Sequence, residues 1–322
     1  MSERQVIALA GGTGDLGRYL HEELTRDGRF SVVLLTRRAV PTTQYNHTTT
    51  HTTDYTEPSL LNILNATGAT ALISTIRCDN SAFLPLHTAL LHACLHSRTC
   101  KTFIPSEWGG NSDDFPDLPI SYGKTRAPLR KLLYELAPPE AESKKLKWTL
   151  VNLGWFMDYF LRPEKTYMKY IDGEFPLYYQ DWSYTVRGSG DEIQSWTFGR
   201  DVARAVVALL GCEQDWEPVT YVSGGWGTFN EAAKLVERFY DRPFTRKYRT
   251  LADIEASMQE YENNPANDED IGLPEIEHFT VSGAVACPKE TTLRQRAKYF
   301  SKLHFTTVEE LLEMGARTEG RV

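Results

Sequence analysis

Apolar runs alternate with amphipathic segments along the first half of the chain. Residues 6–10 form an uncharged apolar run, which is typical of a strand buried on both faces. After this run, Leu16, Leu20 and Leu24 recur at the spacing of one helix face. The same alternation predicts further strands at residues 30–35, 48–54, 69–76, 101–104 and 148–153. Helices between successive strands favour right-handed crossovers and a parallel sheet covered on both faces.

Three glycines separate the first predicted strand from the first predicted helix. They follow the pattern G-x-x-G-x-x-G, in place of the commoner G-x-G-x-x-G. In this context Gly11 allows a tight turn, Gly14 lets the backbone approach a pyrophosphate, and Gly17 lets the helix pack on the strand. We therefore predict a dinucleotide site at this turn. The predicted cofactor contacts here are Gly11, Thr13, Gly14, Asp15, Leu16 and Gly17.

Two arginines follow the second predicted strand. In NAD-binding folds a carboxylate about 20 residues beyond the glycine turn accepts hydrogen bonds from the adenosine ribose. This chain has Arg37 and Arg38 at that position and no carboxylate. A guanidinium suits a 2′-phosphate, which a carboxylate would repel. The sequence therefore predicts NADP(H) as the cofactor, although a pair of solvated surface arginines is the plainer interpretation.

The character of the chain changes after Gly154. Aromatic residues crowd the segment from 155 to 198. Some of them must belong to the core, but a cluster of this density beside a cofactor fold favours a pocket for a planar or hydrophobic substrate. The predicted substrate-binding residues are Trp108, Trp155, Phe156 and Tyr159.

These features predict an α/β protein with a Rossmann-type doubly wound parallel sheet. A smaller α+β substrate-binding lobe is predicted from the C-terminal half. Residues 1–155 form the expected NADP-binding domain, to which the chain returns at about 196–224. Residues 156–195 and 225–322 form the expected lobe.

Composition narrows the range of partners. A net charge of −8 disfavours nucleic acid and anionic membrane surfaces, because both attract basic proteins. No apolar run approaches the roughly 20 residues that span a bilayer. The N-terminus leads almost directly into a strand, so no signal peptide is expected. The five cysteines form no C-x-x-C pair and fit reduced thiols in the cytoplasm. No metal site is predicted, and the chain is expected to be a monomer or homodimer.

Several motifs together resemble one protein family. Gly11-x-x-Gly14-x-x-Gly17, Arg37, residues 103–109 (FIPSEWG) and Lys124 are similar to the NmrA-like and isoflavone-reductase-like family of atypical short-chain dehydrogenases/reductases. The resemblance extends from about residue 6 to residue 312. Residues 103–109 match the family signature F-x-P-S-E-F-G, with Trp108 in place of its second phenylalanine.

The resemblance implies roles for further residues. Lys124 lies where reductases of the family carry an active-site lysine, and Glu107 is a second candidate for acid/base catalysis. A loop carboxylate bonded to nearby backbone is the plainer interpretation of Glu107. The remaining predicted cofactor contacts are Ser74, Thr75, Ile76, Lys124, Asn152 and Gly154.

One departure from ordinary short-chain dehydrogenases concerns the lysine. Those enzymes place a tyrosine and a lysine four residues apart on one helix face, so that the lysine lowers the pKa of the phenol. Tyr122 and Lys124 are only two apart and would lie on different faces. Lys124 is therefore expected to act as a partly desolvated cation that holds the nicotinamide ribose or donates a proton.

The leading functional prediction is an NADP(H)-dependent oxidoreductase for a hydrophobic, aromatic or polycyclic small molecule. The resemblance implies a tailoring step on a natural product. One alternative retains the cofactor and catalyses an isomerisation or rearrangement of the same kind of substrate. Another is a dinucleotide-sensing regulatory protein without catalysis, although such a sensor would need neither Lys124 nor an aromatic pocket.

Overall fold

The computed structural model describes residues 4–38, 47–140, 145–264 and 272–322. In chain order the strands are β1 (Gln5–Ala10), β2 (Phe30–Thr36), β3 (Thr48–Thr52), β4 (Ala71–Ser74), β5 (Thr102–Ile104), β6 (Lys147–Trp148), β7 (Leu150–Asn152), β8 (Trp155–Phe156), β9 (Leu177–Tyr178), β10 (Ser183–Arg187), β11 (Gln194–Thr197), β12 (Val219–Tyr221), β13 (Gly225–Gly227) and β14 (Thr245–Arg249).

Helices occupy most of the remaining described chain. The α-helices are α1 (Asp15–Asp27), α2 (Glu57–Thr67), α3 (Phe83–His96), α4 (Ser121–Lys124), α5 (Arg126–Leu136), α6 (Gly199–Leu210), α7 (Phe229–Tyr240), α8 (Leu251–Glu262), α9 (Leu273–Val281), α10 (Lys289–Tyr299) and α11 (Val308–Arg317). Short 3₁₀ helices span Met157–Phe160 and Pro163–Lys165. Among the described helices, none combines the length and apolarity that crossing a bilayer would require.

A parallel sheet organises the first half of the protein. Its described strands follow the order β3-β2-β1-β4-β5-β6, and each neighbouring pair is parallel. This order begins at an outer strand, returns to β1 in the centre and then runs outward on the other side. The prediction of a Rossmann-type doubly wound sheet is therefore confirmed.

The strand predicted at 148–153 is divided in the structure. β6 pairs with β5, whereas β7 pairs with β12, which the later chain contributes as a parallel strand. Thr149 lies between the two pairings, and its Oγ1 is 2.8 Å from Thr220 Oγ1. The chain therefore changes partners at one residue, which an apolar run cannot reveal. The return of the chain at about 196–224 and the domain boundaries stay predictions.

Two hydrophobic clusters cover the two faces of the sheet. Because side chains alternate along a strand, Ile7 and Leu9 enter one cluster and Ala8 and Ala10 enter the other. Helices α1 and α6 pack on the first face, and α2, α3 and α5 pack on the second. The first cluster continues through Phe175 into the C-terminal half.

Smaller sheets and helices build the C-terminal half. One sheet has the order β14-β10-β9 and another the order β13-β11-β8. A capping box begins α7: Thr228 Oγ1 accepts the Glu231 N–H at 3.1 Å, and the Glu231 carboxylate accepts the Thr228 N–H at 3.0 Å. Thr125 separates the short helix α4 from α5.

Candidate cofactor site

The glycine turn joins β1 to α1 at the carboxyl edge of the sheet. Gly11 has a φ of +82°, which favours glycine, and its carbonyl accepts the Gly14 N–H at 2.9 Å. A Cβ on Gly17 would lie only 2.1 Å from the Gly11 oxygen. A Cβ on Gly14 would meet only that oxygen, at 3.2 Å. Gly17 is therefore fixed by packing, whereas Gly14 leaves space on the side where a phosphate would approach.

The first turn of α1 offers backbone donors rather than side chains. No side chain caps the helix at Gly14, so its first N–H groups are available to an anion. The Leu16 side chain is buried, and the Asp15 carboxylate accepts the Lys169 N–H at 3.1 Å. The predicted cofactor contacts of Asp15 and Leu16 are thus restricted to their backbone N–H groups, because their side chains are used inside the protein. Thr13 is exposed on the turn.

Arg37 and Arg38 follow β2 at the same edge of the sheet, and both are exposed. The Arg37 guanidinium lies 5.7 Å from the centre of the Tyr55 ring. Within the described parts of the chain, no carboxylate forms an ion pair with either arginine. Tyr55 donates its hydroxyl to the Leu35 carbonyl at 2.7 Å, which fixes the ring beneath Arg37. The two guanidiniums are therefore free for a phosphate.

The end of β4 reaches the glycine turn through Thr75 and the backbone of Ile76. Thr75 Oγ1 donates to the Ala10 carbonyl at 3.2 Å and would meet a Cβ on Gly11 at 2.8 Å. Ser74 is fully buried, and its hydroxyl is 3.1 Å from His87 Nε2. The Ser74 hydroxyl is thus directed to α3, and the predicted cofactor contact of Ser74 stays a prediction. Ile76 is half-buried beside Thr75.

The segment 103–109 joins neighbouring loops at the carboxyl edge. Ser106 Oγ donates to the Ile76 carbonyl at 2.9 Å, and Trp108 Nε1 donates to the Ser74 carbonyl at 3.0 Å. Trp108 itself adopts a φ of +48°, which is uncommon for a residue with a side chain. Residues 103–109, which carry the family resemblance, therefore line the candidate site at the carboxyl edge of the sheet. We call this lining the floor of the site. The half-buried Trp108 stays a predicted substrate contact.

Asn152 and Gly154 complete this floor from β7. Asn152 is fully buried; its Oδ1 accepts the Gly109 N–H at 3.0 Å and its Nδ2 donates to Ser112 Oγ at 2.7 Å. Both ends of the amide are thus engaged, which makes Asn152 a residue that positions the loop rather than the predicted cofactor contact. Gly154 has a φ of +80°, and a Cβ there would lie 2.1 Å from the Ser195 oxygen.

Glu107 does not have the surroundings of an acid or base catalyst. It is buried and forms an ion pair with Arg130, whose Nε is 3.4 Å from Glu107 Oε2. Arg130 also donates to the Pro116 carbonyl. The buried ion pair with Arg130 gives Glu107 a structural role, and its catalytic role stays a prediction. The partner that replaces the expected backbone contact lies on α5, 23 residues further along the chain.

Lys124 ends α4 and is exposed, so the partly desolvated ammonium that we expected is not observed. Two residues before it, the Tyr122 ring is half-buried and lies 4.4 Å from the Arg126 guanidinium. Arg126 is buried and forms an ion pair with Asp79. Our reading of the sequence missed Arg126, although its spacing of four from Tyr122 was a signal that could have identified it.

The aromatic cluster divides into a core and a partly exposed wall. Phe175 is buried at its centre, with ring centroids 5.8 Å from Trp155, 5.4 Å from Tyr159, 5.1 Å from Phe160 and 5.4 Å from Phe229. Six of the thirteen aromatic residues between 155 and 198 are buried in the core, and the other seven keep some exposure. The partly exposed ones, which form the wall, include the predicted substrate residues Trp155, Phe156 and Tyr159.

Arg77 joins the end of β4 to the C-terminal half. It lies just after β4, 2.7 Å from the Glu174 carboxylate and 3.4 Å from Asp79. In the aromatic wall, burial raises the pKa of the half-buried Tyr159 phenol well above its ordinary value. Arg77 was missed because its partner is 97 residues away in the chain.

Two relatives that are named oxidoreductases match nearly the whole chain. The chain is 33% identical over 309 residues to "Oxidoreductase swnR" of Arthroderma benhamiae, with 94% of this chain and 95% of the relative covered. It is 32% identical over 307 residues to the protein of the same name from Metarhizium robertsii, with the same coverage. No protein-family model matches the chain.

Solved structures of reductases share the fold of this chain. Leucoanthocyanidin reductase of Vitis vinifera, solved in a binary complex with NADPH, has a TM-score of 0.71 and 17% identity, covering 97% of this chain and 100% of that one. A crystal structure of isoflavone reductase has a TM-score of 0.68 and 16% identity, covering 97% and 99%. The chain belongs to the NmrA-like and isoflavone-reductase-like family.

This NmrA-like, isoflavone-reductase-like chain also resembles "AtPrR2 with NADP+ and (+)pinoresinol", with a TM-score of 0.70, 14% identity and coverage of 98% and 100%. The predicted cofactor agrees with the NADP+ and NADPH of these neighbours. The residues of this chain fit the same group. The uncapped α1 terminus suits a pyrophosphate, and the exposed Arg37 and Arg38 suit a 2′-phosphate.

Proposed function

We propose that this chain is an NADP(H)-dependent oxidoreductase that acts on a hydrophobic small molecule. One observation carries the proposal: an uncapped helix terminus behind a glycine turn shares a sheet edge with two exposed arginines and a half-buried aromatic wall. Phosphate-binding and apolar surfaces are thus adjacent, as a reductase of a hydrophobic substrate requires. The relatives named oxidoreductases support the same reading.

Different residues of this chain would contact successive parts of the dinucleotide. The first N–H groups of α1 would bind the pyrophosphate, and Arg37 with Arg38 would bind the 2′-phosphate. Thr75 and Ile76 would lie along the middle of the molecule, next to Gly11. The exposed Lys124 ammonium would hold the hydroxyls of the nicotinamide ribose. When bound, the cofactor supplies the hydride, while the protein orients it and excludes water.

The substrate would lie against the partly exposed aromatic wall. Trp108, Trp155, Phe156 and Tyr159 offer flat apolar surface with indole and phenol groups at its margin. The Trp155 indole already donates to Gln194 Oε1 at 3.1 Å, which fixes the plane of its ring. Such a wall favours an aromatic or polycyclic molecule, and a tailoring step on a natural product is the reaction we propose.

Reversing the charge at Arg37 tests the proposed function. Reversal of that charge in Arg37→Glu should weaken NADPH binding roughly 10- to 100-fold, because a charge-assisted contact contributes about 1.5–3 kcal/mol. NADH, which lacks the 2′-phosphate, should bind almost unchanged. Calorimetry with nucleotide-free protein measures both. Arg98→Glu, the same charge change at an exposed arginine after α3, is the matched control. Equal NADPH affinity in Arg37→Glu and wild type would refute the assignment.

A further inference from the structure

A tyrosine on α4 lies at the carboxyl edge of the sheet. A Cβ on Gly109 would be 3.1 Å from Tyr122 Cε2 and 3.5 Å from the Tyr122 hydroxyl oxygen. Gly109 is tied to the end of β7, because its carbonyl accepts the N–H groups of Leu153 and Gly154 at 2.8 and 3.0 Å. The phenol therefore reaches the floor on which ligands of such sheets lie.

The Tyr122 hydroxyl has no hydrogen-bond partner among residues 4–38, 47–140, 145–264 and 272–322. Buried tyrosine hydroxyls usually find one. Ser121 Oγ, on the same short helix, is buried without a hydrogen-bond partner, whereas the Tyr122 hydroxyl keeps some exposure. The Tyr122 ring packs against its neighbours, but its hydroxyl is accessible and forms no hydrogen bond within the described residues. Such a group can donate a hydrogen bond, or a proton, to a bound molecule.

A fixed positive charge lies against the same ring. The Arg126 guanidinium is 4.4 Å from the Tyr122 ring centre and 4.2 Å from the Phe83 ring centre. It donates to the Cys78 carbonyl at 3.1 Å and forms an ion pair with Asp79. Only 4% of Arg126 is exposed. Tyr122 and Arg126 are four residues apart, which is the separation that Tyr122 and Lys124 lack.

The charges around the phenol set its acidity. Burial is the largest influence and raises the pKa of Tyr122 to about 12. Arg126 and, less strongly, Arg130 lower this pKa, while Asp79 and Glu107 raise it. The phenol therefore keeps its proton at neutral pH, as a general acid must. If the proton leaves, Arg126 is the nearest positive charge to stabilise the phenolate.

We propose that Tyr122 is the proton donor of the reaction and that Arg126 is the positioning residue that stabilises its phenolate. The inference rests on the proposed function and assigns the proton donation to Tyr122 in place of Lys124. The hydride comes from reduced NADPH, and the O–H bond of Tyr122 breaks as its proton passes to the substrate oxygen that gains negative charge. Water then returns a proton to the phenolate, so the protein ends unchanged.

The first experiment titrates the phenol without any substrate. Tyrosinate absorbance is followed with rising pH in wild type and in Tyr122→Phe, with and without NADP+. The positive nicotinamide should lower the pKa of one tyrosine in wild type by about one to two units, given a charge within a few ångströms. Tyr122→Phe should lose that shift, whereas Tyr134→Phe, at an exposed tyrosine on α5, should keep it. A shift retained in Tyr122→Phe would overturn the proposal.

The second experiment measures turnover of phenanthrenequinone, a polycyclic aromatic diketone, with NADPH. Tyr122→Phe should lower kcat roughly 10²-fold, the usual contribution of a general acid, with the Kd for NADPH unchanged. Lys124→Met should mainly weaken NADPH binding. Wild-type kcat in Tyr122→Phe, with a large loss in Lys124→Met, contradicts the assignment. If wild type binds neither NADPH nor NADP+, the proposed function fails together with this inference; if NADP+ binds without a tyrosine shift, only this inference fails.

Discussion

The two ends of the candidate site differ in the chemical groups that form them and in how deeply those groups are buried. At the nucleotide end, backbone N–H groups of α1 and the exposed Arg37 and Arg38 face solvent. At the nicotinamide end, Asp79–Arg126 and Glu107–Arg130 are buried ion pairs beneath the floor. The first end is preformed by local geometry and can admit a charged ligand at little cost. The second end holds its charges permanently and so fixes the positions of Tyr122 and the loop around Gly109.

The difference has an energetic reason. Exposed charges lose little solvation and gain little from each other, whereas a buried charge must be paired or the fold is destabilised. Arg126 also stacks between Phe83 and Tyr122, so its pair with Asp79 fixes aromatic rings as well as charges. The buried pairs are therefore expected to dominate stability, and the exposed arginines to dominate affinity for the nucleotide.

The largest effect should come from breaking a buried pair. Glu107→Gln leaves the Arg130 guanidinium buried without its counter-charge, which should cost about 3–5 kcal/mol of unfolding free energy. Urea unfolding at neutral pH measures this loss. Glu313→Gln, which breaks the exposed pair with Arg317 on α11, should cost less than about 1 kcal/mol. Wild-type stability together with lost turnover in Glu107→Gln would instead restore Glu107 as a catalytic residue.

A smaller effect is expected at the glycine turn. Gly17→Ala places a Cβ 2.1 Å from the Gly11 oxygen and 2.7 Å from Gly12 Cα, so backbone must move. The expected loss is about 1–3 kcal/mol, although alanine is the better helix former by about 1 kcal/mol. Gly14→Ala is the matched control, because its Cβ would meet only one atom, at 3.2 Å. Thermal unfolding compares the two, and equal melting temperatures would contradict the packing role of Gly17.

The smallest effect concerns pH and a histidine behind β4. His87 Nδ1 donates to the Phe83 carbonyl at 3.0 Å, so Nε2 accepts from Ser74. Burial lowers the pKa of His87 from 6.5 to about 3. Between those values the unfolded chain binds one more proton than the folded one, so stability falls as the pH falls. His87→Gln should reduce this slope by about 1.4 kcal/mol per pH unit.

Urea unfolding at several pH values between about 6.5 and about 4.5 measures that slope. Burial also lowers the pKa of His21, to about 4, so part of the slope should survive in His87→Gln. An unaltered slope in His87→Gln would mean that the imidazole is not held neutral in the fold.

The residues at the nucleotide end of the candidate site could be predicted from the sequence better than those at the nicotinamide end. Gly11, Gly14 and Gly17 act through local backbone geometry, and three or four residues of sequence are enough to express it. The ion pair of Glu107 with Arg130 was not predicted, because it is a contact of the tertiary structure. Asn152 likewise received a cofactor role from the resemblance, whereas the fold uses its amide to hold Gly109 and Ser112.

By itself the sequence determined the parallel sheet, the glycine turn, the family and the polarity of the nucleotide end. Periodicity and glycine spacing are local properties, and they survive in a one-dimensional pattern. Only the tertiary structure decided that Thr149 separates two strand pairings, which members of the aromatic cluster are buried, and that Arg126 lies against Tyr122. Those features depend on which distant side chains share one buried volume, and no local pattern encodes that arrangement.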